Sequence, residues 1–172
     1  SVKVLAPQLS FDQQFVERFQ REARAAARLQ HPNIVVMHDV AHQQGIYYLV
    51  MELLEGQTLK QLIEEKGSLS PERAARIVEQ VASALDYAHQ QGFVHRDIKH
   101  ANIFVGKDDR TTLADFGIAR LVSGSGVSLT ITGGVVGTPA YIAPELWEQD
   151  AAGAPSDVYA LGCMAYEMLT GT

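Results

Sequence analysis

The alternation of apolar and polar residues divides the chain into short strands and longer helices. Val2 to Leu5 alternates, with Lys3 opposite its apolar neighbours, which predicts a strand that Pro7 ends. Ser10-x-x-Gln13 has capping-box spacing, and the helix it opens is expected from about Asp12 to Leu29. Its apolar stripe is Phe15, Phe19 and Ala26, and Glu22 falls on that same face. A carboxylate on a buried face needs a cation. Arg18, one turn earlier, and Lys3, on the preceding strand, are the two candidates. His31-Pro32-Asn33 breaks the helix. Ile34 to Met37 and Ile46 to Met51 then read as two strands about a polar Gln43-Gln44-Gly45 turn. Thr58 to Lys66 is a short amphipathic helix that Gly67 stops.

The clearest helix starts at Ser70-Pro71, serine as N-cap and proline at the first turn, and Gly92 ends it. Ala74, Ile77, Val78, Val81, Leu85 and Ala88 hold helical spacing throughout. Ile103-Phe104-Val105 and Thr111-Thr112-Leu113-Ala114 predict a hairpin. Ser123 to Gly137 is rich in Gly, Ser and Thr, and a run of about fifteen such residues inside a compact domain predicts a functional loop. Pro155-Ser156-Asp157 opens a last helix, with Val158, Leu161, Met164, Ala165, Met168 and Leu169 read as buried.

Strands mixed with helices predict an α+β domain. Its 172 residues suffice for a core without disulfide staples. Hydrophobic content of 47% against 20% charged excludes a disordered chain. The net charge of −6, with no Lys/Arg-rich run, argues against a nucleic-acid partner. Cys163, the single cysteine, excludes an intrachain disulfide, fits a reducing compartment, and lies in an apolar run that makes it a core residue. No apolar run reaches the ~20 residues of a membrane span, and no signal peptide is visible. Both ends read as cut, one inside a strand pattern and the other at a helix end.

The chemistry concentrates in His95-Arg96-Asp97-Ile98-Lys99-His100-Ala101-Asn102 and in Asp115-Phe116-Gly117. The hairpin between them would bring Asn102, before its first strand, beside Asp115, after its second. Two oxygen ligands then converge, which suits a hard cation such as Mg²⁺ holding substrate phosphates. Asp97 and Lys99 lie on the loop leading in. Together these groups point to phosphoryl transfer.

His95-Arg96-Asp97-Ile98-Lys99-x-x-Asn102, Asp115-Phe116-Gly117 and Ala143-Pro144-Glu145 stand in the order and spacing of the eukaryotic-like protein kinases. Ser1-Val2-Lys3 resembles the end of that family's Val-Ala-Ile-Lys motif, and Glu22 its helix C glutamate. The Thr-Ile-Thr loop and alanine-rich helices resemble the bacterial Ser/Thr branch. The resemblance covers the whole chain. It implies a two-lobed fold with a partial small lobe over residues 1–51 and a partial, mainly helical large lobe over residues 52–172. That range runs from the family's third strand and helix C through its helix F.

The resemblance assigns roles residue by residue. Asp97 orients the substrate hydroxyl and takes its proton, and Lys99 steadies the γ-phosphate of ATP. Asn102 and Asp115 hold Mg²⁺ (or Mn²⁺). Lys3 grips the α/β-phosphates and pairs with Glu22. Met51, Glu52, Leu53 and Leu54 form gatekeeper and hinge against the adenine. His95 is scaffold, tied by its backbone to Asp157, and His100 is expected to be an exposed loop residue. Arg96 implies control by phosphorylation of the loop, with Thr130 and Thr132 as the sites and Ser123, Ser125 and Ser128 as weaker ones; Thr138 would bond Asp97 and Lys99. The implied partners are protein substrates bearing Ser or Thr, and a second copy for trans-autophosphorylation. The implied location is cytoplasmic, including the cytoplasmic part of a membrane-anchored parent.

Two departures bear on this. No Gly-rich phosphate loop precedes Ser1, so a non-catalytic kinase-like binding module is the alternative. The arginine that pairs with Glu145 in the family has no counterpart here. Aminoglycoside-kinase-type enzymes share the His-x-Asp-x-x-x-x-Asn pattern, but they lack the Ala-Pro-Glu segment.

Overall fold

The computed structural model describes residues 1–5, 10, 12–115, 141–147 and 152–171. The elements run β1 (Val2–Val4), α1 (Gln13–Ala26), β2 (Met37–Gln43), β3 (Ile46–Met51), β4 (Gln57–Thr58), α2 (Leu59–Lys66) and α3 (Pro71–Gln90). A 3₁₀ turn (His100–Asn102), β5 (Ile103–Val105), β6 (Thr111–Leu113), α4 (Pro144–Trp147) and α5 (Ala154–Thr170) complete the order. Phe116, Gly117, Ser123, Ser125, Ser128, Thr130, Thr132 and Thr138 lie outside the described residues.

Among the described residues two antiparallel sheets organise the chain. The first has order β1-β3-β2 and the second β4-β5-β6. In the first, Lys3 pairs with Leu49, and β2 slips register between Met37 and Asp39. Its apolar face packs on α1: Phe15, Phe19, Ala23 and Ala26 form one cluster with Leu5 and Leu49. Val2 and Val4 are exposed on the edge strand β1. The second cluster is built on α3, whose Ala74, Ile77, Val81, Ala84, Leu85 and Ala88 meet Leu59, Leu62, Ile103, Leu113, Leu161, Met164 and Met168. Leu29 and Ile34, in the connection after α1, belong to this second cluster. Phe93 packs against both.

Several boundaries differ from expectation, each for a local reason. α1 starts later because Asp12, not Ser10, is its N-cap, accepting from the Phe15 amide at 3.1 Å. A Ser, Thr, Asn or Asp cap of this kind is worth about 1 kcal/mol. The Ser10 hydroxyl is buried without a hydrogen-bond partner. Ile34 to Val36 is not part of β2. Ile34 makes only an isolated parallel bridge to Leu113, and the Val35 amide donates to the Leu113 carbonyl at 3.0 Å. That segment therefore stitches the first sheet's connection to the second hairpin. On α5 the buried set is Ser156, Asp157, Ala160, Leu161, Met164 and Met168. Val158 and Leu169 are 60% and 48% exposed, outside the stripe that packs inward.

α3 follows the sequence pattern. The Ser70 hydroxyl accepts from the Arg73 amide at 3.3 Å, and Pro71 occupies the first turn. Gly92, at φ 76°, takes the left-handed turn that releases the chain toward His95. The β5–β6 hairpin is then tied to α3 from the side. Arg73 and Arg76 both reach Asp109 in its turn, and Gln80 receives the Thr111 amide at 2.9 Å. Burial raises the Asp109 pKa, but hydrogen bonds and charge from Arg73 and Arg76 outweigh it, so the carboxylate sits below its usual range.

Candidate active site

The loop from His95 to Asn102 is held from beneath by α5. Asp157, 1% exposed, accepts from the backbone amides of His95 and Arg96, each at 2.8 Å. The same carboxylate meets His89 of α3 at 2.8 Å. Arg96 sits at φ 68°, a left-handed conformation that costs a non-glycine residue about 1–3 kcal/mol unless its surroundings enforce it. The two amide bonds to Asp157 supply that enforcement. The expected Asp157 tie to the His95–Arg96 backbone is therefore present.

His95 is fully buried, its ring 3.2 Å from the Ala114 carbonyl, and its Nδ1 accepts from the Asp97 amide at 3.3 Å. Burial pushes the His95 pKa down, partly opposed by Asp157 and the Ala114 carbonyl. A group with a lowered native pKa binds protons more readily once unfolded. Its contribution is present above the unfolded imidazole value of about 6.5 and fades as pH falls toward the native value. The same direction holds for His100, whose pKa burial also lowers. Thermal melts are expected to show a falling midpoint from pH 7 to pH 5, shallower in His95→Gln; an unchanged slope would remove His95 from the acid transition.

Above this floor the catalytic-type groups gather on one carboxylate. Lys99 Nζ donates to Asp97 Oδ2 at 2.7 Å, and Asn102 Nδ2 donates to the same oxygen at 3.0 Å. Asn102 Nδ2 also donates to the Asp97 carbonyl at 2.8 Å. Neither Asp97 Oδ1 nor Asn102 Oδ1 has a hydrogen-bond donor among the described residues. β5 and β6 pair Ile103 with Leu113, and the Ala114 amide donates to the Asn102 carbonyl at 2.9 Å. Asp115 is the next residue, at φ 58°. The hairpin thus brings Asn102 and Asp115 to one end, as the strand pattern implied.

Lys3 makes a different pair from the one expected. Its Nζ lies 2.7 Å from Asp115 Oδ1, with the side chains 46% and 38% exposed. Glu22 instead meets Arg21 at 3.3 Å, and Arg18 bonds the Gln14 carbonyl. A carboxylate takes the nearest cation: Arg21 is its neighbour in sequence, whereas Lys3 is already engaged. Both pairs are solvent-screened and worth little in stability.

At the end of β3, Met51 exchanges backbone hydrogen bonds with Ser1, at 2.6 and 2.9 Å. Glu52 is committed: its carboxylate accepts from the Val36 amide at 2.7 Å, and its carbonyl receives the Ser1 hydroxyl at 3.2 Å. The Leu54 amide and carbonyl are unpaired among the described residues, and Leu53 is 76% exposed. Glu145 has a partner that the sequence did not reveal. The Ser156 hydroxyl donates to it at 2.6 Å, and this bond holds its pKa below the usual range. His100 is not an exposed loop residue. It is partly buried against Tyr141 and Glu167, because α5 brings Glu167 up beneath the turn.

Comparison with known proteins bears on the fold and the family. The family model described as "Protein kinase domain" matches residues 1–172. The chain belongs to the protein kinase domain family. Serine/threonine-protein kinase PknB of Mycobacterium tuberculosis (strain ATCC 25618 / H37Rv) is 42% identical over 175 residues, covering 99% of this chain and 28% of that protein. Serine/threonine-protein kinase PrkC of Bacillus subtilis (strain 168) is 43% identical over 171 residues, covering 99% of this chain and 26% of that protein. A crystal structure of the M. tuberculosis PknI kinase domain superposes with a TM-score of 0.78 at 35% identity, over 99% of this chain and 62% of that one. The chain is thus homologous to bacterial Ser/Thr protein kinases, with their α+β fold in part, and spans little more than a quarter of its curated relatives' length. Among the described residues no helix is long and apolar enough to cross a membrane.

Proposed function

We propose that this kinase-family chain carries the phosphoryl-transfer site of a Ser/Thr protein kinase. The observation that carries this reading is the state of Asp97. One carboxylate oxygen is occupied by Lys99 and Asn102, and the other has no donor among the described residues. An Asp held in this way can orient a substrate hydroxyl and accept its proton.

The donor set fits Mg²⁺ and ATP. The Asn102 amide nitrogen is spent on Asp97, which leaves its oxygen as a neutral ligand, and Asp115 adds a carboxylate. Mg²⁺ is usually held by one or two protein oxygens together with substrate phosphates, and Asn102 and Asp115 supply oxygens of that kind. When bound, Mg²⁺ (or Mn²⁺) and ATP supply the transferable γ-phosphoryl group and neutralise its developing charge. Lys3, beside Asp115, binds phosphate oxygens from the sheet side, and Lys99 does so from the loop side. The backbone groups of Leu54, unpaired among the described residues, would meet the adenine edge, whereas those of Met51 and Glu52 are engaged by Ser1 and Val36, so these two would line the adenine site with their side chains. Asp157 keeps the loop in place beneath them all.

The substrates are proteins bearing Ser or Thr. A second copy phosphorylates Thr130 and Thr132, whose added charge pairs with Arg96. The domain works in the cytoplasm, either as a cytoplasmic protein or as the cytoplasmic part of a membrane-anchored parent. The test is transfer of radiolabelled phosphate from ATP to a generic basic protein by the full-length parent, followed by phosphoamino-acid analysis. Label on serine and threonine is expected; no incorporation above background overturns the reading. Thr130→Ala with Thr132→Ala is expected to lower autophosphorylation and turnover about tenfold. An unchanged rate in that double variant would sink the regulatory assignment alone.

A further inference from the structure

The group formed by His100, Tyr141 and Glu167 does not touch Asp97, yet it grips the same loop. His100 opens the 3₁₀ turn that Asn102 closes, and the Ile103 amide donates back to the His100 carbonyl. Lys99 and Asn102, which flank this turn, are the two residues bonded to Asp97 Oδ2. The His100 ring is fixed from outside the loop. Its Nδ1 lies 3.0 Å from the Tyr141 hydroxyl, and the two rings meet edge-on at 5.2 Å and 87°. The Glu167 carboxylate contacts both the Tyr141 hydroxyl and the His100 ring. The His100 and Glu167 side chains are each 19% exposed, and Tyr141 is 8% exposed. Three segments far apart in sequence therefore converge on one imidazole. Tyr141 also shares with Asp97 and Lys99 the lining of a small cavity of about 20 Å³.

We propose that His100 is a positioning residue for phosphoryl transfer, clamping its turn against Tyr141 and Glu167 so that Lys99 and Asn102 stay in register on Asp97. The proposal rests on the kinase reading given above. A turn of three residues has little stiffness of its own. Its side-chain anchors decide whether the Asn102 amide and the Lys99 ammonium both reach one oxygen. Misplacement of such groups by about 1 Å can cost up to about 10²-fold in rate.

The test compares His100→Ala, His100→Gln and Tyr141→Phe in the full-length parent. His100→Ala is expected to lower kcat per folded molecule about tenfold, measured well below its melting temperature. His100→Gln, which keeps a side chain able to bond Tyr141 and Glu167, should recover most of the loss. Combining His100→Ala with Tyr141→Phe should cost no more than the worse single change, as for residues acting through one contact. A residue that only supported the fold would lower the melting temperature while kcat per folded molecule stayed at wild type, and that result overturns the proposal. Should His100→Ala fail to fold, wild-type kcat in both His100→Gln and Tyr141→Phe overturns it equally. Amide hydrogen exchange reads the clamp without turnover. Exchange at Asn102 and Ile103 should rise about tenfold when the anchor is removed. Unchanged exchange defeats the clamp even in a protein that transfers no phosphate, whereas raised exchange with no transfer in the parent defeats the kinase reading and leaves the clamp standing.

Discussion

Asp97→Asn is expected to abolish phosphate transfer, by about 10²–10⁴-fold in kcat, while leaving ATP binding within about twofold. The substitution keeps the size of the side chain and its polar contacts. It removes the negative charge and the acceptor for the hydroxyl proton. The Lys99 ammonium, 31% exposed, loses an ion partner but stays solvated, so the cost to stability is under about 1 kcal/mol. Asn102 keeps its bond to the Asp97 backbone carbonyl, which the substitution does not touch. The loop therefore holds its shape while the chemistry fails. Kinetically, kcat and kcat/KM should fall together, because the lost interaction exists only in the transition state. The measurement is steady-state transfer to a serine-containing peptide alongside equilibrium binding of a fluorescent ATP analogue. Transfer at more than about a tenth of the wild-type rate would show that Asp97 is not the base.

The parts of the fold most legible in the sequence were those fixed by local chemistry. Ser70, Pro71 and the stripe from Ala74 to Ala88 specify α3 without outside help, since cap, first turn and apolar period agree. The β5–β6 hairpin was equally readable, because its apolar positions alternate and its partners are close in sequence. What sequence did not show were contacts made across the chain. Asp12 won the cap of α1 over Ser10, two residues earlier, and period alone does not place a helix start that finely. Lys3 and Glu22 sit on neighbouring elements, and the geometry gave Lys3 to Asp115 instead. The residues that support the site were the least legible. His89 lies four residues after Leu85 on the buried stripe of α3, a polar residue where an apolar one was due, and that mismatch was its only signal. Ser156 and Glu145 are brought together by the approach of α4 to α5, and nothing in local spacing announces it.

Asp157→Ala is expected to be the most damaging single change to the fold, at about 3–5 kcal/mol. The carboxylate is 1% exposed and serves three donors: the amides of His95 and Arg96 and the His89 ring. Alanine removes the acceptor that Asp157 gives the buried His95 amide, at a cost of about 1–3 kcal/mol for that group alone. Asp157 already lines a small cavity with Arg96, Ile98 and Ala160, which the truncation would enlarge. Arg96 also loses the bond that enforces its φ of 68°, so the backbone is free to relax toward the ordinary helical or extended regions. That relaxation moves the residue directly before Asp97. Stability and turnover should therefore fall together here, in contrast to Asp97→Asn, where only turnover falls. For a domain near the low end of the usual range of about 5–15 kcal/mol, a loss of this size leaves a substantial fraction unfolded. Urea titration followed by circular dichroism measures it: a midpoint shift equivalent to less than about 1 kcal/mol would show that the loop is held by something other than α5. Asp157→Asn separates the two roles. The amide keeps one acceptor oxygen for one backbone N–H and turns a donor toward the other, so its loss should lie between wild type and alanine. A loss equal to that of alanine would mean that the negative charge, rather than the acceptor geometry, holds His95 and Arg96 in place.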